Sequence, residues 1–555
     1  MRIAIKMKAL RGWLAVSLLS AASFAATGDN LRLVVAAQNR DREAVRSLLQ
    51  QHMDVNAAQA DGATALAWAS HWDDLEMADL LIRAGANVNA ANDYGITPLS
   101  LACTNGSSAM AEQILKAGAN PNAAQWTGET AFMTCARTGA VDAVKAMLAR
   151  KADVNAKTRR GQTALMWAVA EKHPEVARVL IERGADVNAT TQLLPGFKPI
   201  EHLDYGIYDH VVGEPDHHDL SRVHLDPASS RGGYTPLLFA ARSGDIESAK
   251  MLIAAGAKVN VAGPDGSPLL VASASGHEAL AILLLDKGAD PNAVDAYGIA
   301  ALHWAVQEGL AAITAAKIQA PTDRLWYHPD MPDLVKALLA HGANPNAQIT
   351  KGTPPWDFPP YAHGGGIALP QIRQVGATPF FLAAAAGDLN LMHVLISAGA
   401  DPKQANVEGT TPLMVASGVG LKQDRPKAQE KAVLEAVKLL VELGNDVKAV
   451  AVGGRTALHG AAYTGSNEII QFLAARGADL NAKDKYGETP LSIAAGDPAR
   501  LVDPFDKRFR QQPVPHKATA DLLLKLGAAP LPTEAAKAGA AKVSAPSQYP
   551  SQSGQ

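Results

Sequence analysis

Apolar residues run along this chain in paired segments of helical period, with polar and conformationally special residues at fixed places between them. The first segment of each pair is Ala-rich around a Leu and is expected to bury against its neighbours. The second carries a Leu-Leu or Leu-Ile pair, as at Leu80-Leu81 and Leu180-Ile181. Ahead of the first segment stands a Gly, followed by Thr-Pro-Leu or a close variant. Gly permits the positive φ of a tight turn, Thr caps the helix, and Pro fits the first helical position, where no backbone donor is lost. A Gly able to take the left-handed cap ends the second segment. The pattern predicts helix pairs joined by tight turns, few strands, and an all-α fold.

The same phrase returns about every 33 residues. Asp93-Tyr94-Gly95-Ile96-Thr97-Pro98-Leu99 leads to Ile114-Leu115-Lys116-Ala117-Gly118-Ala119-Asn120. The next copies run from Gly128-Glu129-Thr130 to Asp153-Val154-Asn155 and from Gly161-Gln162-Thr163 to Asp186-Val187-Asn188. Others open at Thr64, Thr235, Ser267, Ala300, Thr378, Thr411, Thr456 and Thr489. In period and wording, as at Thr456-Ala457-Leu458-His459, this resembles the ankyrin repeat. The resemblance covers residues 29–530 in about twelve helix-turn-helix copies. It implies a solenoid of stacked antiparallel helix pairs whose projecting turns and first helices line a concave face. A length of 555 residues, too great for one ordinary core, agrees with an array. So does 48% hydrophobic content with only 5% aromatics, which suits thin, closely stacked helices. The first copy, ending Met53-Asp54-Val55-Asn56, lacks the Thr-Pro turn, as expected of a terminal cap.

Residues 1–25 read as an export signal: basic Arg2, Lys6, Lys8 and Arg11, an apolar stretch from Trp13 to Leu19, then small residues up to cleavage after Ala25. The apolar stretch falls short of the roughly 18 residues a membrane span needs, so no stable insertion is expected after cleavage. A periplasmic or secreted product follows. A first array of about five repeats over 29–189 and a second of about seven over 232–530 are expected to flank an insertion at 190–231, where the array divides. This insertion and another near 348–375 replace turns between repeats, whereas those near 310–332, 419–431 and 497–516 separate the two helices of one repeat. The tail at 531–555, rich in Ala, Lys, Pro, Ser and Gln, is expected to be disordered.

The net charge of −3 becomes more acidic once the four basic residues of the signal are removed, which argues against nucleic acid as partner. Cys103 and Cys135 fall one position apart in adjacent repeats. Helices there should lie about 8–10 Å apart, against a limit of about 7 Å between bridged Cα atoms, so two buried thiols are expected rather than a bridge. The 190–231 insertion collects His202, His210, His217, His218 and His224 among aspartates, without the spacing of a known metal motif. No phosphate loop, nucleophile elbow, zinc-protease helix or haem motif occurs, so no catalytic residue or cofactor is assigned. His303 and His459, the His of the repeat phrase, are read as braces between turns, and Trp68, Trp167 and Trp304 as core. The turn tips and exposed first-helix positions supply the candidate binding residues His71, Trp72, Tyr94, Trp126, Arg137, Arg159, Arg160, Arg242, Tyr297, Gln307, Tyr463 and Tyr486, whose types are those enriched at interface hot spots. The expected function is a monomeric, non-enzymatic scaffold for a protein partner. A metal-binding or enzymatic protein using the insertions, or a secreted effector acting on host proteins, are the alternatives.

Overall fold

The computed structural model describes residues 31–192, 232–314, 328–351, 373–421, 427–496 and 515–531. Among these are 25 helices and no strand, with isolated β-bridges only at turns, such as Ala124 to Thr130. The Thr expected at each first-helix start caps it: Thr97 Oγ1 accepts from Ser100 N at 3.2 Å and Thr130 Oγ1 from Met133 N at 3.3 Å. His303 supplies a bond at the helix start where Ala300 has no side-chain acceptor, His459 adds one beside Thr456, and both reach the next repeat. Nδ1 of His303 accepts from Ala300 N at 3.1 Å while Nε2 meets the Ala347 carbonyl at 3.0 Å. Nδ1 of His459 accepts from Thr456 N, and Nε2 meets Glu488 O at 3.0 Å.

Burial separates the two helices of a repeat. In the inner helix Ala131–Thr138, every residue from Ala131 to Ala136 is buried, because the preceding and following repeats cover it on both sides. The outer helix Val141–Ala149 buries only Ala143, Val144 and Met147. The small residues of the inner helices allow a close approach, and this overturns the expectation for the cysteines. Cys103 and Cys135 are bonded, their Cα atoms 4.5 Å apart. Beside the bridge, Ala102 and Ala136 are fully buried and present nothing larger than a methyl group.

A ladder of asparagines ties the outer edges of successive repeats in the first unit. Asn122 Nδ2 donates to Lys151 O at 3.0 Å, and its Oδ1 accepts from Asp153 N at 2.8 Å. Asn56, Asn89, Asn155 and Asn188 repeat the pair of bonds one or two repeats before or after. Each satisfies carbonyl and amide groups left open where an outer helix ends.

The chain forms two compact units, with the change at Gly263 to Pro264. This boundary lies one repeat beyond the 190–231 insertion. Thr191 N donates to Tyr234 O at 3.1 Å and Gly233 N to Thr191 O at 3.0 Å, so the repeat holding helices Pro236–Ser243 and Ile246–Ala254 stacks directly on the one before the insertion. Both ends of the insertion meet at one turn, which is why the array passes it. In the second unit helix extends into two segments expected as loops, at Gln307–Thr314 and Lys427–Glu442.

Candidate functional site

In the first unit successive turn tips are joined backbone to backbone. Asp93 N donates to Asp61 O at 3.0 Å, Trp126 N to Tyr94 O at 3.3 Å, Arg159 N to Thr127 O at 2.9 Å and Gln192 N to Arg160 O at 2.8 Å. The tips are therefore a ribbon of fixed spacing. Tyr94 and Trp126 stand on it 59% and 55% exposed, and the Arg159 guanidinium lies 5.9 Å from the Trp126 ring centroid. Close approach of successive turns leaves no room for a side chain at Gly95, whose φ is +79° and whose Cβ would stand 2.9 Å from Gln125 Cα.

Below the tips, the inner helices hold the rest. Arg137 lies 5.3 Å from the Trp167 ring and 3.4 Å from Glu129 Oε1; Arg242 lies 5.8 Å from the Tyr234 ring. Trp72, 37% exposed, stacks on Trp68 at 6.1 Å, receives Arg40 on its ring at 5.5 Å and donates Nε1 to Gln38 O at 3.1 Å. His71 packs edge-on to Trp72 at 4.6 Å, and burial lowers the pKa of its imidazole. Of the first-unit candidates, His71, Trp72, Trp126, Arg137, Arg159 and Arg242 are thus gathered into guanidinium–aromatic clusters, with Arg40, Gln38 and Glu129 as members the sequence reading did not include, whereas Tyr94 and Arg160 stand exposed on the tips. Trp167, expected in the core, is only half-buried.

The candidates of the second unit are more dispersed. Tyr486 is 51% exposed, with Lys485 Nζ 4.8 Å from its ring, whereas Tyr297 and Tyr463 are half-buried. Gln307 is a correction: it is 0% exposed, donates Nε2 to Ser273 O at 2.9 Å and accepts His328 N on Oε1 at 2.6 Å. Its amide closes the end of the preceding inner helix, where carbonyls need donors, and is not presented to a partner. Nearby, Asp330 Oδ1 accepts from Glu308 N at 2.8 Å, and burial pushes the Asp330 carboxyl up to about 7.

The histidines of the 190–231 insertion lie outside the described residues. Among the described residues no group of three or more His, Cys, Asp or Glu is arranged to hold a metal, and no helix is long and apolar enough to cross a membrane.

Family models for ankyrin repeats match residues 33–125, 122–191, 237–318, 375–407 and 427–501, more than half of the chain. The chain belongs to the ankyrin-repeat family. Similar proteins include the E3 ubiquitin-protein ligase KEG of Arabidopsis thaliana, 26% identical over 48% of this chain and 16% of that protein. Ankyrin repeat and SOCS box protein 3 of Bos taurus is 30% identical over 22% of this chain and 21% of its own length, and Rabankyrin-5 of Mus musculus 27% over 39% and 20%. The matches span a fifth or so of these relatives' own lengths.

Proposed function

We propose that this protein is an exported, non-enzymatic scaffold that binds a protein partner through the tips and inner helices of its first unit. The observation that carries the reading is the hydrogen-bonded ribbon of tips holding Tyr94 and Trp126 exposed, with Arg159 on the Trp126 ring. A large aromatic held this way contributes contact area to a complex without a large ordering cost on binding. Export is supported by the signal-like residues 1–25 and by the Cys103–Cys135 bridge, which suits an oxidising compartment. Protein recovered from its native cells should begin at Ala26 and offer no thiol to an alkylating reagent; an intact first segment and two reactive thiols would contradict export.

The binding surface has its own test. Trp126→Ala combined with Arg160→Ala should weaken association with the partner at least about tenfold, because hot spots of these types are worth about 2 kcal/mol or more. The melting temperature should stay nearly unchanged, since both side chains are exposed. Unchanged affinity would remove the first-unit tips from the interface.

A further inference from the structure

In most repeats the chain passes from inner to outer helix through one residue of left-handed backbone. Gly106, Gly139 and Gly244 hold that place in the first unit, and Gly276, Gly387 and Gly465 in the second, with φ from +68° to +77°. Three repeats of the first unit carry a full side chain there instead: Arg40 at φ +63°, Asp73 at +57° and Lys172 at +60°. A Cβ in this conformation crowds the following carbonyl oxygen, a cost that glycine removes. Arg40 has a compensating contact within the fold, its guanidinium lying 5.5 Å from the Trp72 ring centroid. Asp73 and Lys172 have none. Both are exposed, and neither side chain makes a hydrogen bond, ion pair or ring contact among the described residues. Backbone strain without an internal return points to a use for the side chain outside the chain itself. These turns stand at the opposite end of the inner helices from the tips, about 10 Å away along a helix such as Ala65–His71. Asp73 follows directly on His71 and Trp72, so it borders the aromatic cluster at that end.

We propose that Asp73 and Lys172 are specificity-determining contacts, so that the partner covers the inner helices of the first unit from the tips to the turns at their far ends. The inference rests on the scaffold reading above and enlarges its interface. It calls for a partner surface broad enough to span an inner helix, with a group of opposite charge facing each of the two residues. One acidic and one basic position, set three repeats apart, also fix the partner's direction along the array, because reversing it would bring like charges together.

The first unit supplies its own controls. His52 at φ +58° and Lys151 at +63° are likewise exposed side chains in left-handed backbone, but they end outer helices. The experiment uses the full chain in its native cells with a photo-cross-linker in place of Tyr94, and reads the yield of discrete adduct per molecule of protein. Asp73→Gly with Lys172→Gly should lower that yield at least about threefold. His52→Gly with Lys151→Gly should leave it unchanged. Both double variants, purified, should melt about 2 °C higher, since both shed the same backbone cost. Lys172→Arg keeps the charge and should keep the adduct. A rise in stability together with a loss of association is a combination that a purely structural role does not give. An adduct undiminished in the Asp73 and Lys172 variant, an equal loss in the His52 and Lys151 variant, or melting temperatures that fail to rise would overturn the inference and leave the scaffold standing. Absence of any adduct from position 94 in the otherwise natural chain would remove the scaffold reading, and this inference with it.

Discussion

His303 shows how a single residue links the fold to pH. Fully buried and bonded through both ring nitrogens, it stays neutral in the folded chain down to about 4, against 6.5 for an ordinary His. Between those values the unfolded chain binds the extra proton, so His303 makes stability fall as pH drops from 6.5 toward 4. Asp330 does the reverse. Burial keeps its carboxyl protonated up to about 7, while the unfolded chain loses that proton near 3.8, so its contribution falls as pH rises through the same range. The two effects oppose each other in the natural protein, and single substitutions should expose each slope. Asp330→Asn should leave stability dropping more steeply with acid below pH 6.5, and His303→Gln should leave it dropping as pH rises from 4 to 7. Denaturant unfolding of the second unit at a series of pH values reads both, and profiles parallel to the natural protein would contradict the assignment.

At the scale of the helix pair, much was legible because the determinants are local. Thr97, Pro98 and Gly95 act within a few residues of themselves, so cap, first turn and tight turn follow from their order in the sequence. What lay between repeats was less legible. The Cys103–Cys135 bridge depends on how closely two inner helices approach, and the burial of Gln307 on carbonyls of the preceding repeat. The bridge closes a loop with a sequence separation of 32, worth about 4 kcal/mol in chain-entropy terms. The pairing of Arg137 with Trp167 likewise joins residues about one period apart, whose side-chain directions no pattern of types reveals. The asparagine ladder was visible as a recurring Asn, but its partners one repeat away were not.

That ladder also has gaps. Lys448 stands where other repeats carry the bridging Asn, two residues after an Asp whose side chain still accepts the local amide at 2.9 Å. Its side chain passes beside Gly477, the glycine that ends the next outer helix. Lys448→Asn should restore a bridge to Gly477 O and Asp479 N and raise stability by about 1 kcal/mol, the usual net worth of such hydrogen bonds. Asn122→Ala should lower it by a similar amount. Calorimetric melting of both variants checks the pair; a Lys448→Asn protein no more stable than its parent would mean that the ladder contributes little beyond local order.

Across the whole molecule, two units built from one repeated motif present different surfaces. The first unit, Leu31 to Gly263 among the described residues, gathers its aromatics and arginines along one ribbon of tips and the inner helices below them. The second carries exposed Tyr486 but buries Gln307 and half-buries Tyr297 and Tyr463. Regular stacking, not any single side chain, sets the spacing of the candidate binding groups. The central claim is therefore that partners meet the tips and not the outer helices. The most direct measurement is a photo-cross-linking scan in the native cells, with the reactive group placed in turn at Tyr94, Trp126 and Arg159 on the tips and at Glu112, Arg178 and Lys250 on the outer helices. Discrete adducts from the tip positions and none from the outer helices are expected; adducts confined to the outer helices, or distributed equally over both, would contradict it.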